Sequence, residues 1–243
     1  MPYLISFAIW TVDIVLTILV YLAVLVCSIL FYFSDPKRKL AHAQCFWWAD
    51  ILMWINPFWK FTVRGLENID PKRTYVIVAN HQSLADIVVL YKTRMQFKWI
   101  AKASLFQIPF IGWSLTMAKH IRLERGELGS IKQVYRQAAE WLRRDMSVLL
   151  FPEGTRSYTD KMNVFQNGAF KLAIKEKVPV LPISIRGTRE AIPKGGWVFS
   201  THVHVRLTVL PAIETAFTGA AEFAQLRDRV YGDLERLHNG PDA

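Results

Sequence analysis

The sequence predicts an α/β protein: a mixed, largely parallel sheet flanked by helices, preceded by an N-terminal membrane-anchoring helical segment. Three observations carry that reading. Ile14 to Phe33 is a run of twenty residues without a charge, short β-branched runs alternate with helical stretches from residue 61 onward, and the strand-like runs end in polar loops. Residues 1–60 accordingly read as an anchor, built from one transmembrane or in-plane helix plus an aromatic interfacial helix, and residues 61–243 as the α/β domain. A chain of 243 residues holds one good-sized core, and is too short for two beside an anchor.

Twenty helical residues span roughly 30 Å, the thickness of a bilayer's hydrocarbon. No Lys or Arg precedes the run, and it is longer than the apolar stretch of a cleavable signal. Lys37, Arg38 and Lys39 follow it, and the positive-inside rule puts what comes next on the cytoplasmic face of an inner membrane or its equivalent. Ala41 to Phe61 carries Trp47, Trp48, Trp54 and Trp59 among Phe46, Phe58 and Phe61, broken by Asp50, Asn56 and Pro57. Tryptophan favours the headgroup zone, so this segment reads as interfacial, with a buried aromatic core helix as the alternative. The pattern leaves open whether the anchor spans the bilayer or dips into one leaflet.

In the domain, strands are expected at Phe61 to Arg64, Thr74 to Ala79, Phe97 to Ala101, Ile121 to Leu123, Ser147 to Phe151, Val180 to Arg186 and His202 to Leu210. Helices fall between them. Leu128 to Arg144 repeats Ile131, Val134, Tyr135, Ala138 and Leu142 at helical spacing, and Ala221 to His238 places Phe223, Leu226, Val230, Leu234 and Leu237 on one stripe.

Composition narrows the function. With 52% hydrophobic and 21% charged residues the chain is no disordered protein, and 30 Lys plus Arg against 20 Asp plus Glu give a net +10 that suits anionic partners. No nucleic-acid-binding motif is present, which leaves membrane lipid or a phosphorylated substrate. Cys27 and Cys45 lack a C-x-x-C spacing or a nearby His and read as reduced packing residues, as in a cytoplasmic environment. His202 and His204 share a strand face without a third ligand, so no metal is expected. Nucleophile elbows and glycine-rich nucleotide loops are also missing.

Two loops carry chemistry. The first, Asn80-His81-Gln82-Ser83-Leu84-Ala85-Asp86, follows a strand, and ligands of parallel α/β sheets bind at such carboxyl ends. If His81 precedes a helix whose first turn holds Asp86, the carboxylate reaches back to one ring nitrogen and leaves the other as a general base. Ser83 and Asp86 equally fit a capping box, and both readings can hold; capping leaves a histidine at a strand end unexplained. The second loop, Pro152-Glu153-Gly154-Thr155-Arg156-Ser157, leaves another strand of the same sheet. By itself it reads as an ordinary Pro-x-Gly turn with a solvated arginine. Gly154 also admits close backbone approach, and Thr155, Ser157 and the Arg156 fork suit a phosphate.

These loops, in this order, resemble the signature of the 1-acyl-sn-glycerol-3-phosphate (lysophosphatidate) acyltransferase family. N-H-x-x-x-x-D is matched by Asn80, His81 and Asp86, and F-P-E-G-T-R-S by Phe151 to Ser157 without a change. Lys102, Phe106, Pro109, Gly112 and Arg125 resemble the intervening motif, and Val178, Pro179, Pro182 and Ile185 the last one. The chain departs at Glu124, where the family commonly has Asp, which makes Arg122 a second candidate for phosphate contact. It departs again at Gln166 and Asn167, where a basic residue is common.

The resemblance implies an O-acyltransferase. His81, oriented by Asp86, takes the proton of the free glycerol hydroxyl of a lysolipid, which attacks an acyl thioester. Glu153, Gly154, Thr155, Arg156 and Arg125 would hold the glycerol phosphate, Lys102 would assist, and Pro182 would shape the acyl-donor side. No cofactor is implied: acyl-CoA or acyl-carrier protein is the co-substrate, and anionic headgroups and the lysophosphatidate acceptor are the membrane partners. Related acyltransferases using glycerol 3-phosphate or a lyso-ornithine lipid, and a non-catalytic lipid-binding module, are the alternatives.

Overall fold

All seven expected strands form, within two residues of their expected ends, in a computed structural model that describes residues 2–56, 59–124, 126, 128–157, 159, 161–191, 196–200, 202–216 and 218–240. They are β1 (Trp59–Arg64), β2 (Val76–Ala79), β3 (Phe97–Lys102), β4 (Ile121–Leu123), β5 (Ser147–Leu150), β6 (Val180–Arg186) and β7 (Val203–Val209). They join one sheet in the order β1-β7-β6-β2-β5-β3-β4. The five strands from β6 to β4 run parallel, and β7 with β1 runs against them. The carboxyl ends of β6, β2, β5, β3 and β4 therefore share one edge, as expected of a largely parallel sheet.

Alternation along the central strands feeds two cores. Val76, Val78, Val148, Leu150 and Val180 face α5 (Leu128–Arg143), α6 (Gly168–Glu176) and α8 (Phe223–Asn239). Ile77, Ala79, Leu149, Leu181 and Ile183 face the other way, toward α2 (Lys39–Trp54) and α3 (Ala85–Leu90). Both faces of β2, β5 and β6 are thus covered, which is why those strands read as continuous apolar runs. The short α4 (Ile111–Met117) and α7 (Thr188–Ala191) complete the set.

The N-terminal segment differs in detail from the expectation. The first helix, α1, runs from Pro2 to Leu30, starting well before Ile14 and ending before Phe33. Residues 3–12 are themselves uncharged, so Asp13 interrupts the composition without ending the helix. One face, with Leu16, Val20 and Val24, packs on the protein; Leu4, Phe7, Ile14, Leu19, Leu22 and Val26 are exposed on the other.

Its start is held by the loop before β7, through a Trp10 Nε1–H bond to the Trp197 carbonyl (2.7 Å) and a Phe199 N–H bond to Ser6 Oγ (3.0 Å). Its end accepts a bond from Arg38 at the Ser28 carbonyl (3.0 Å). The aromatic segment becomes α2 and enters the core: Ala49 and Met53 are buried with the sheet residues, and Trp54 is 81% exposed. Trp59 belongs to β1, and Pro57 and Phe58 lie outside the described residues. The structure thus gives the buried aromatic helix of the alternative reading, with Trp54 left outward at its end.

Candidate active site

β2 and β5 are neighbours whose register sets Val78 opposite Leu150. His81 and Glu153 each lie three residues beyond that pair, in the loops that leave the two strands, and the His81 N–H donates to Glu153 Oε1 at 2.7 Å. A second tie runs from the Ser157 N–H to the His81 carbonyl at 3.0 Å. Asn80 fastens the same loop to β6, donating to the Ile185 carbonyl (2.8 Å) and accepting the Ile185 N–H (2.7 Å).

Asp86 sits in the first turn of α3, and its Oδ2 accepts from His81 Nδ1 (2.8 Å) and from the N–H groups of Gln82 (2.7 Å) and Ser83 (2.9 Å). One oxygen therefore supports the start of the helix and holds the imidazole. Because a carboxylate oxygen only accepts, Nδ1 carries the proton and Nε2 presents its lone pair. Nε2 has no hydrogen-bond partner among the described residues, and the side chain is 14% exposed whereas that of Asp86 is fully buried. The ring stacks on Phe151, with centroids 3.9 Å apart and planes 11° from parallel. A flat apolar neighbour on one face and a carboxylate at one edge leave the imidazole one free direction, toward solvent.

Glu153 is buried, and its second oxygen accepts the Asn163 N–H at 2.8 Å. Burial pushes its carboxyl up to about 7 even though both backbone bonds pull it down. With both oxygens engaged by main-chain donors, it braces the His81 loop against the loop that carries Asn163. Gly154 has φ 71°, a left-handed conformation that disfavours a side chain, and the chain then turns outward so that Thr155 is exposed and Arg156 half-buried. Arg156 makes no hydrogen bond or ion pair among the described residues.

Lys102, exposed, ends β3 on the same edge, two strands or roughly 10 Å from β2. Arg122 lies one strand further out, opposite Ala101, and pairs with Glu124 at 3.0 Å. Arg125 lies outside the described residues. Pro182 is not on this edge: it is buried inside β6 opposite Val78. There Pro182 takes part through its carbonyl, which accepts the Leu210 N–H at 3.0 Å, and regular β6–β7 pairing begins only at Ile183–Val209, so a residue without an N–H is tolerated. Gly112 also has a packing reason, since a Cβ there would meet the Phe106 carbonyl oxygen at 2.1 Å. Sequence reasoning assigned no role to Phe151, Asn80 or Asn163. The first two stood inside the quoted motifs; nothing marks Asn163, whose backbone N–H holds Glu153 and whose side-chain amide donates to the Thr155 carbonyl at 3.4 Å.

No group of three or more His, Cys, Asp or Glu is gathered at metal-binding distance among the described residues, and His204 instead bonds Thr62 at 2.8 Å. The model of the Acyltransferase family matches residues 60–186, from β1 to the end of β6. A chloroplast 1-acyl-sn-glycerol-3-phosphate acyltransferase of Arabidopsis thaliana is 36% identical over 194 residues, 79% of this chain and 54% of that protein. The enzyme of the same name from Pseudomonas aeruginosa is 32% identical over 186 residues, 75% of this chain and 71% of that protein. The chain spans about half the length of the plant and algal relatives it matches, 54%, 51% and 54%. The crystal structure of the 1-acyl-sn-glycerophosphate acyltransferase of Thermotoga maritima superimposes with a TM-score of 0.72 at 28% identity, covering 97% of this chain and all of that one. Sheet, motif loops and relatives agree, and the chain belongs to the acyltransferase family.

Proposed function

We propose that the protein transfers a fatty acyl chain from an acyl thioester, acyl-CoA or acyl-carrier protein, to the free hydroxyl of 1-acyl-sn-glycerol 3-phosphate, giving phosphatidic acid for phospholipid synthesis. The observation that carries the reading is the His81–Asp86 bond of 2.8 Å with Nε2 left unpartnered among the described residues at the sheet's carboxyl edge. Nε2 takes the hydroxyl proton as the oxygen attacks the thioester carbonyl. The tetrahedral adduct collapses with cleavage of the C–S bond, and the leaving thiolate receives that proton from the imidazolium. Asp86 stays ionised throughout, fixing the tautomer and facing the transient positive charge. Base catalysis supplies about 10²–10⁴-fold, and the rest must come from holding two substrates in line and stabilising the oxyanion.

Arg156, uncommitted among the described residues and next to the His81 loop, is the cation we assign to the acceptor phosphate, with Thr155 and the Gly154 backbone beside it and Lys102 and Arg125 as auxiliary cations. Arg122 is already paired with Glu124 and Glu153 with backbone donors, so neither is assigned a direct phosphate contact. The names of the relatives support a lysophosphatidate acceptor over glycerol 3-phosphate.

Attachment to the cytoplasmic face of a membrane is part of the same proposal. α1 would be roughly 43 Å long; its start is bonded to the loop before β7, and its second half packs on α4 through Tyr21 against Phe110 and Val24 near Met117. A helix fastened in this way lies along one leaflet rather than crossing the bilayer, with its exposed apolar face in the lipid. The test uses purified protein in detergent, each thioester in turn, and a panel of lyso-acceptors, following thiol release. Release dependent on lysophosphatidate is expected; no release with any acceptor would leave a lipid-binding module.

A further inference from the structure

The end of α1, the turn over residues 31–38 and the end of α4 border an open cavity of about 430 Å³, lined among others by Leu25, Ser28, Ile29, Arg38, Met117 and Lys119. Lys119 stands two residues before β4, so the cavity opens at the amino edge of the sheet, opposite His81. Arg38 is 5% exposed there. One Nη donates to the Ser28 carbonyl and the guanidinium lies 4.8 Å from the Tyr32 ring centre, but Nε has no partner. The Ser28 hydroxyl is likewise buried without one. Arg38 and Ser28 both line the cavity, and each keeps a buried polar atom without a partner among the described residues, so the cavity wall holds donors in need of an acceptor.

The surroundings say what kind. Lys119, Lys98 and Arg144 add positive charge around Arg38, and Lys119 is pushed down by burial and then by Arg38 and Arg144. The nearby acids are engaged: Asp35 accepts the Lys39 and Leu40 N–H groups at the start of α2, and Asp145 faces Lys37 at 3.8 Å. The remaining lining is apolar and continues into the exposed face of α1, where Ile29 is 64% exposed. Cationic donors at one end and an apolar wall open to lipid at the other match a phospholipid better than a free anion.

We propose that this cavity binds an anionic membrane phospholipid that is not a substrate, its phosphate on Arg38, Ser28 and Lys119 and an acyl chain along Leu25 and Ile29. The lipid would fix the α1–α2 turn at the membrane surface. The proposal does not depend on acyl transfer.

Binding of dioleoylphosphatidylglycerol to the full chain in neutral detergent, followed by native mass spectrometry, tests it, because diffuse attraction to a charged bilayer does not register there. A saturable adduct is expected, at least about tenfold tighter than with dioleoylphosphatidylcholine, and weakened about tenfold by Arg38→Gln or Lys119→Gln. Lys39→Gln, at an exposed cation that begins α2 directly after the turn, should leave it unchanged. Unaltered affinity in Lys119→Gln, or an equal loss in Lys39→Gln, overturns the site. Displacement of the lipid by equimolar inorganic phosphate would reduce it to a free-anion site and overturn the lipid assignment. Lys119 is exposed, so its variant keeps the test decisive even where Arg38→Gln fails to fold.

Discussion

The two edges of the sheet bury charge in opposite ways. At the carboxyl edge the buried charges are acids, Asp86 and Glu153, held by the N–H groups of Gln82, Ser83, His81 and Asn163. At the amino edge they are bases: Lys98 donates to the carbonyls of Lys37 and Ala118, 2.7 Å each, and Arg38 to that of Ser28. Burial drives one group at each edge toward neutrality, Glu153 up to about 7 and Lys98 down to about 7. The partners differ in consequence. The acids bind the loop that carries His81, so the ring's geometry depends on them. The bases bind the turn between α1 and α2 and the end of α4, so they fasten the N-terminal hairpin to the sheet. One edge orders the candidate site and the other holds the N-terminal helices.

The sharpest way to break that division is to remove one residue from each edge. His81→Ala should lower acyl transfer by about 10²–10⁴-fold or more while circular dichroism and Tm stay near wild type, since the ring makes one side-chain hydrogen bond and one stack. Lys98→Met should do the reverse. It leaves two buried carbonyls unpaired and removes an ammonium 4.8 Å from the Trp141 ring centre, a loss of roughly 2–4 kcal/mol read as Tm, with kcat of the folded fraction unchanged. A Lys98→Met protein with normal Tm and no activity would show that the edges are not separate in function.

Arg156→Ala comes next. Losing a charge-assisted contact to phosphate is worth about 1.5–3 kcal/mol, which is roughly a 10- to 100-fold rise in acceptor KM. The thioester KM should stay put; a shift in the donor instead would move Arg156 to the other substrate.

Much of this was legible in the sequence, for identifiable reasons. Strands covered on both faces print as unbroken apolar runs, and the His81–Asp86 pair is local, five residues apart across a helix start. What escaped is set by register. The Glu153–His81 bond joins residues 72 apart and exists because Val78 happens to face Leu150; the Lys98–Lys37 bond spans 61. A motif marks Glu153 without saying that its oxygens face main-chain donors. Nothing marks Lys98, an ordinary lysine in a strand-like run, as fully buried. Pro182 was carried to the site by its motif, yet it lies within β6, just before regular β6–β7 pairing begins.

Glu153→Gln carries the smallest expected effect and probes the carboxyl edge most finely. The folded carboxyl titrates at about 7 against 4.5 for the free group, so between those values the native state holds a proton that the unfolded chain releases. The protonated form's advantage is complete below about pH 4.5 and is lost as pH rises through 7, so this group makes stability fall with pH across that window. His42 and His120, buried and pushed down, slope the other way on the acid side, so the wild-type curve alone does not isolate Glu153. The difference between wild type and Glu153→Gln does, because the histidines cancel. The variant should therefore gain on wild type by roughly 1–3 kcal/mol between pH 5 and 8 in Tm-derived stability, offset by a pH-independent loss of about 1 kcal/mol because an amide cannot accept from both N–H groups. A difference curve flat in pH would mean that Glu153 is ionised throughout, with its backbone donors outweighing burial, and that the two edges do not share the drive toward neutrality.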